Sequence, residues 1–299
     1  MLISIIVRMV VLSFITRNSY SKMQKAPVSL EDVLNSTLQI PYRQIILVDD
    51  STDETRDFFR KWCEKYGKEL TISGSRLYGY VKPTRATARQ TAIDIFFENF
   101  TDDWLMFVDD DVILNPGWWQ EAEIYLTDPK IGIIWGLNFD ATSDRHTYLK
   151  ALGIDYVQYL VKEFFRRGGT HDTLIRREAL EGIRIPPDLH FFEDWYILKY
   201  VCDKGYRVGL VRSGVTHYNP EWSYGSETIK EMARLAKKYG VEPSTLSYGV
   251  YRFFRSLASI VPTTVASVRG FGLREGLKRA YHRWRVKVLY RMYFLASGD

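Results

Sequence analysis

From Val10 to Trp135, short apolar runs alternate with segments of helical spacing. Val10–Ile15, Gln44–Val48, Trp104–Val108 and Ile131–Trp135 have the length and apolar content of buried strands, and Leu77–Val81 reads as a further short one. Between them, Leu30–Thr37 has helical spacing behind Ser29, a suitable N-cap. Thr52–Lys65 places Phe58, Phe59 and Trp62 on one helical face, and Thr84–Asn99 turns Ala88, Ala92, Ile95 and Phe96 inward. Pro116 opens a helix running to Leu126. Further on, the pattern predicts a helix over Ala151–Arg167 stopped by Gly168-Gly169, another over Phe191–Lys204 ended by Gly205, and a strand over Tyr206–Val211. After Gly225 only helical spacing remains. A boundary therefore falls there, with residues 1–225 as one domain and 226–299 as a helical extension.

Strand–helix–strand alternation predicts an α/β fold, a mostly parallel sheet flanked by helices. Ligands of such sheets bind beyond the carboxyl ends of the strands. Two acidic clusters, Asp49-Asp50 and Asp109-Asp110-Asp111, fall at strand ends. A polar turn explains either one alone. Two clusters at one edge of a sheet point to a ligand crevice.

Charge sharpens the division. The 299 residues carry a net +5, but the last fifty hold ten basic and two acidic side chains, so the first 249 are net −3. The basic character belongs to the extension, whose partner should be anionic. Cys63 and Cys202 are the only cysteines, and no CxxC pair occurs, which excludes a disulfide scaffold. The N-terminal run MLISIIVRMVVLSFI is interrupted by Arg8 and lacks a basic leader, so it reads as buried β-structure rather than a signal or anchor. No other stretch reaches ~18 uninterrupted apolar residues, so no transmembrane helix is expected.

Three adjacent carboxylates repel one another, by about 4 kcal/mol per pair ~4 Å apart at an effective dielectric of ~20. A hard divalent cation offsets that repulsion; Mg²⁺ and Mn²⁺ take one or two carboxylates and complete their shells with substrate phosphates. If strand alternation persists, Asp109 and Asp111 share one side and Asp110 faces the other. Haloacid dehalogenase-type phosphatases also carry Asp-x-Asp at a strand end, but on their first strand, whereas two strand–helix units precede it here. A second constellation, His190-Phe191-Phe192-Glu193-Asp194-Trp195-Tyr196, sets two acids among aromatics at a helix start. It suits either dipole stabilisation or a carboxylate base in a water-poor pocket.

These landmarks together resemble the GT-A glycosyltransferases of family 2 over roughly Val10 to His217. VVLSFITRN is similar to the family's first strand and turn, LVDDSTDET to its second strand end, and TRATARQTAID to its Ala-Arg-Asn helix. FVDDDV stands at its metal-binding Asp-x-Asp, THDTLIRREAL at its Phe-Arg-Arg-x-Ala segment, and FFEDWYI at its Glu-Asp base motif. The resemblance implies that Thr16, Arg17, Asp49 and Asp50 line a nucleoside pocket, with Arg85 and Arg89 toward diphosphate or ribose. It implies that Asp109 and Asp110 lie by the nucleotide, that Asp109 and Asp111 serve a Mn²⁺ or Mg²⁺ ion, and that Asp194 is the catalytic base beside Glu193. Ile15 and Arg17 depart from the family's Pro and Tyr, and Ser51 stands directly after the acidic pair without the usual glycine. His217 is either a further metal ligand or structural; His171 either caps a helix or meets the donor sugar.

The implied reaction is inverting transfer of a hexose from a nucleotide-diphospho-sugar. A likeness to polyprenyl-phosphate mannose synthases leans toward GDP-mannose. Because a phosphate acceptor needs no base, the Glu-Asp pair favours a hydroxyl acceptor on a lipid-linked or cell-surface glycan. The extension interleaves Arg and Lys with Trp, Tyr and Phe. That suits either peripheral contact with an anionic membrane, at the inner face of the cell membrane in a cytoplasmic enzyme, or a helical cap with a solvated basic face. Nucleic acid is disfavoured by the acidic edge.

Overall fold

Every residue of Trp104–Val108 is buried, and the segment is sandwiched between strands on both sides, as its apolar run requires. The computed structural model describes residues 10–141, 145–218 and 225–297. The reading of the first nine residues as β-structure lies outside them.

Among the described residues, β1 (Val10–Thr16), β2 (Tyr42–Asp49), β3 (Glu69–Ser73), β4 (Trp104–Val108), β5 (Val112–Leu114), β6 (Ile131–Asp140), β7 (Asp172–Arg176) and β8 (Arg207–His217) form one sheet. Its order is β3-β2-β1-β4-β7-β6-β8-β5. β3, β2, β1 and β4 are mutually parallel, so their carboxyl ends share an edge. β7 is antiparallel to β4 and starts at that edge, with Asp172 opposite Val108. β8 runs parallel to β6 and antiparallel to β5, which sets His217 opposite Val112. Helices Leu30–Ser36, Thr55–Tyr66 and Arg85–Asn99 connect the parallel strands. Ser29 caps the first of these through a reciprocal capping box with Asp32. Phe14, Phe59, Trp104 and Trp118 anchor the apolar core.

Several elements differ from the sequence expectation. Leu77–Val81 is a turn, with Tyr78 and Gly79 at positive φ; the edge strand is Glu69–Ser73, which pairs with Gln44–Val48. The helix expected over Ala151–Arg167 starts at Tyr156, after a turn at Gly153 with φ +70°; a separate helix, Arg145–Ala151, ends where it was expected to begin. The helix expected from Pro116 starts at Trp118 behind Gly117.

The chain groups into two compact units, one within residues 1–142 and 164–220, the other within 143–163 and 221–299. The sheet belongs wholly to the first. The second holds helices Ser226–Lys238, Leu246–Ala258, Ile260–Phe271 and Leu273–Ala296. It also takes in Arg145–Ala151, which lies within the expected first domain of residues 1–225. The Tyr148 hydroxyl lies 3.4 Å from that of Thr263, and the Arg283 guanidinium sits 4.3 Å from the Tyr148 ring centroid. Within this unit Glu242 is held by Arg291 at 2.5 Å and by the hydroxyls of Tyr248 and Tyr290.

Candidate active site

The parallel register explains why both acidic clusters meet. Thr16 ends β1 opposite Asp49, which ends β2, and its hydroxyl donates to the Asp49 carboxylate at 2.5 Å. The Ser51 hydroxyl and Arg56 Nε, at 2.8 Å, also bind that carboxylate. Asp49 is fully buried. Thr16 and Asp49 therefore brace the turn, while Asp50 and Arg17 remain on its accessible side. Asp50 accepts from the Ser75 backbone N–H and hydroxyl. Asn18, in the left-handed region, ties the first turn to the second, donating from its N–H to Ser51 Oγ and accepting from the Thr52 N–H.

β4 ends at Val108, and the three aspartates then diverge. Asp109 still follows the sheet, donating its N–H to the His171 carbonyl at 3.0 Å. Its Oδ1 receives Arg89 Nη2 at 2.6 Å. Arg89 is buried, stacked 4.6 Å above the Phe107 ring centroid, and two of its nitrogens have no hydrogen-bond partner. Arg89 is thus buried behind a partly exposed carboxylate, which it steadies. Arg89 also pulls the Asp109 carboxyl below its ordinary pKa, although burial works in the other direction.

Asp110 and Asp111 behave otherwise. The Lys22 ammonium bridges them, 2.9 Å from Asp110 Oδ1 and 2.8 Å from Asp111 Oδ2, and the Ser19 hydroxyl donates to Asp110. Strand alternation had paired Asp109 with Asp111; the turn after Val108 pairs Asp110 with Asp111 instead. Asp111 Oδ1 lies 3.0 Å from His217 Nε2. The antiparallel β5–β8 ladder makes this contact, and the Tyr218 N–H bonds to the Asp111 carbonyl. Burial opposes the charge of Asp111, yet His217 and Lys22 hold its carboxyl far below the usual range, while burial lifts Asp110 above it. Burial would lower His217, but Asp111 keeps its pKa raised.

Glu193 and Asp194 open the helix Glu193–Asp203. Phe192 before them has φ +71° and ψ +16°, a left-handed conformation costing a bulky residue about 1–2 kcal/mol. Glu193 is 5% exposed, and burial followed by the neighbouring Asp194 pushes its carboxyl up to about 8. Asp194 is half-buried, accepts from the Trp195 N–H at 2.8 Å, and is likewise raised by burial. Arg85, the first residue of helix Arg85–Asn99, joins the two constellations electrically. Desolvation opposes its charge, but Glu193, Asp109, Asp194 and Asp111 raise its pKa. His171 caps no helix. Its Nε2 accepts from Trp135 Nε1 at 3.3 Å and its Nδ1 lies 2.6 Å from Asp172, whose other oxygen accepts from Trp118.

Asp111 Oδ1 and His217 Nε2, 3.0 Å apart, form a carboxylate–imidazole pair of the kind that can ligate a hard cation. Among the described residues no group of three or more acidic, histidine or cysteine side chains is set for one. Asp109, expected to share the ion, has its Oδ1 paired with Arg89 and a partly exposed side chain. Two protein ligands fit an ion whose remaining positions come from substrate phosphates. Sequence reasoning passed over Lys22 and Ser19, whose only signal was their place just beyond the carboxyl end of β1.

A family model described as Glycosyl transferase family 2 matches residues 19–183. No curated protein matches the chain in sequence. Among solved structures, the mannosyltransferase PcManGT from Pyrobaculum calidifontis, in complex with GDP-Man and Mn²⁺, is similar with a TM-score of 0.57 and 17% identity, over 96% of this chain and 85% of that one. TarS 1-349 of S. aureus with UDP-GlcNAc has a TM-score of 0.53 at 14% identity, over 95% and 90%. Glucosyl-3-phosphoglycerate synthase from Mycobacterium tuberculosis, with Mn²⁺, UDP and phosphoglyceric acid, has a TM-score of 0.51 at 16% identity, over 79% and 80%. The shared feature at these identities is the fold.

Proposed function

Since the chain belongs to glycosyl transferase family 2, and so is a GT-A transferase with a nucleotide-sugar donor, we propose that it moves a hexose, with inversion, onto an acceptor hydroxyl in a metal-dependent reaction. The observation that carries this reading is the 3.0 Å meeting of Asp111 and His217 at the sheet edge that also bears Asp50 and Asp109. Asp111 and His217 would hold a Mn²⁺ or Mg²⁺ ion, which would supply Lewis-acid neutralisation of the leaving diphosphate. Asp50 and Arg17 face the nucleoside, Asp109 the ribose, and Arg85 the diphosphate. Thr16, Asp49 and Arg89 hold these groups in place.

Asp194 takes the proton of the acceptor hydroxyl as its oxygen attacks the anomeric carbon. The bond from that carbon to the diphosphate breaks on the opposite face. A carboxyl held above its ordinary pKa by burial suits a general base, and Asp194 is the more accessible of the two acids. Glu193, whose carboxyl burial and the neighbouring Asp194 push up, orients the acceptor through a hydrogen bond. Asp109 is engaged by Arg89, which leaves a phosphoaspartate route without support.

We favour GDP-mannose as donor, on the likeness to PcManGT; a UDP-sugar is the rival, on the likenesses to TarS and the glucosyl synthase. Thermal shifts with GDP, UDP and dTDP, each with and without Mn²⁺, test this. Metal-dependent stabilisation by GDP supports it, a response to UDP alone replaces the donor, and silence with all three overturns the reading.

The acceptor we propose is a lipid-linked or cell-surface glycan, met at an anionic membrane surface. Among the described residues no helix is long and apolar enough to cross a membrane. Helices Leu246–Ala258 and Ile260–Phe271 do expose Leu246, Val250, Tyr251, Phe254, Val261 and Val265. No acidic residue occurs between Glu242 and Glu275, whereas Arg252, Arg255, Arg269 and Arg274 do. Apolar side chains flanked by arginines suit the headgroup boundary of an anionic bilayer. Co-sedimentation with phosphatidylserine-containing vesicles, lost on Phe254→Asp, supports this placement; equal binding by wild type and variant counts against it.

A further inference from the structure

The Asp110-Asp111 pair is already served by a cation that belongs to the chain. The Lys22 ammonium lies within 2.9 Å of one oxygen of each carboxylate, and both carboxylates are buried. The remaining oxygen of Asp111 is taken by His217 Nε2. Both oxygens of Asp111 are thus engaged, one of them by a positive charge. A divalent ion ligated by Asp111 and His217 would replace the hydrogen bond between them, and would have to tolerate or dislodge the ammonium beside them.

The anchoring of Lys22 gives that exchange a reach. Lys22 lies on the short helix Ser19–Met23, whose first residue also bonds to Asp110. Lys22 and Ser19 thereby pin the segment that directly follows Arg17 and Asn18. Asn18 in turn bonds to Ser51 and Thr52, beside Asp50. A displaced Lys22 loosens one end of the turn that carries the nucleoside side of the crevice.

We propose that Lys22 is a tethered counter-cation set beside the metal seat of the donor-free enzyme, that it competes with the incoming ion for the charge of Asp111, and that it is released when the ion binds. It offsets part of the acidic turn's charge and keeps the turn ordered while metal is absent, and it sets the metal affinity. This rests on Asp111 and His217 being the metal ligands.

The test measures Mn²⁺ affinity by electron paramagnetic resonance for wild type, Lys22→Met, Lys22→Arg and Asp111→Asn, without any sugar nucleotide. Lys22→Met should bind Mn²⁺ more tightly by about tenfold or more, the scale on which a charge ~4–6 Å away moves a neighbouring titration. It should also melt at a lower temperature than wild type in EDTA, and Lys22→Arg should stay close to wild type in affinity. Unchanged or weaker Mn²⁺ binding by Lys22→Met, with Asp111→Asn defective, overturns the role of Lys22 alone. Wild-type affinity in Asp111→Asn overturns the metal-site reading beneath it. Should Lys22→Met fail to fold, acylation of wild-type lysines read by mass spectrometry decides the matter. Lys22 should be protected in EDTA and become several-fold more reactive with Mn²⁺; equal reactivity in both states overturns the exchange.

Discussion

The backbone of Gly168 touches that of Asp194: a Cβ on Gly168 would fall 2.4 Å from the carbonyl carbon of Asp194 and from the nitrogen of Trp195. Gly168 also has φ +75°, which only glycine adopts without strain. The Gly168-Gly169 turn thus sets the position of the proposed base. Gly168→Ala should destabilise the fold by about 2–4 kcal/mol, from left-handed strain plus the clash. It should lower kcat more than it raises the KM for donor. Thermal melts and steady-state kinetics check both, and a fully active, equally stable variant would contradict the assignment.

Replacing the base should separate chemistry from binding. Asp194→Asn keeps the size and the bond from the Trp195 N–H but cannot accept the acceptor's proton. Turnover is expected to fall by about 10²–10⁴, while the dissociation constant of the nucleotide, read by calorimetry, stays within about twofold.

Glu193 gives the site a pH signature. Burial and the neighbouring Asp194 push its carboxyl up to about 8 from an ordinary 4.5. The folded state holds that proton more tightly, so the contribution to stability is complete below about 4.5 and is lost as pH rises through about 8. The ceiling is roughly 4–5 kcal/mol. Glu193→Gln removes this slope. The melting temperature of the variant minus that of wild type should therefore climb between pH 5 and pH 8.5; a flat difference would show that Glu193 is ionised throughout.

Loss of either proposed ligand should abolish the metal response. Asp111→Asn and His217→Ala are each expected to weaken Mn²⁺ by at least about 100-fold, beyond the 10–100-fold typical of residues that merely orient ligands. Arg89→Lys, by contrast, breaks the hold on Asp109 and should raise the KM for donor while leaving Mn²⁺ affinity within about threefold. Titrations followed by electron paramagnetic resonance distinguish the two classes.

Much of this arrangement is legible in the chain. Trp104–Val108 is a strand because five consecutive apolar residues flanked by acids can be buried in few other ways. Thr84 caps the helix Arg85–Asn99 through local hydrogen bonds that need no distant partner. The acids at strand ends mark the crevice for the same reason, since periodicity and burial cost are local properties. The extent of each unit was less legible, because Arg145–Ala151 joins the C-terminal helices through contacts such as Tyr148 with Thr263, made across more than a hundred residues of chain.

By itself, the sequence determined the strand–helix alternation, the sheet edge at which Asp50 and Asp109 emerge, and the acidic pair at the start of the Glu193–Asp203 helix. These follow from spacing along one segment at a time. Tertiary structure alone decided the partners: Arg89 with Asp109, Lys22 with Asp110 and Asp111, and His217 with Asp111. The reason is geometric. Where β4 ends, side-chain direction is no longer set by strand alternation but by whichever counter-charge the neighbouring strands and helices deliver, and that delivery depends on the order and register of the whole sheet.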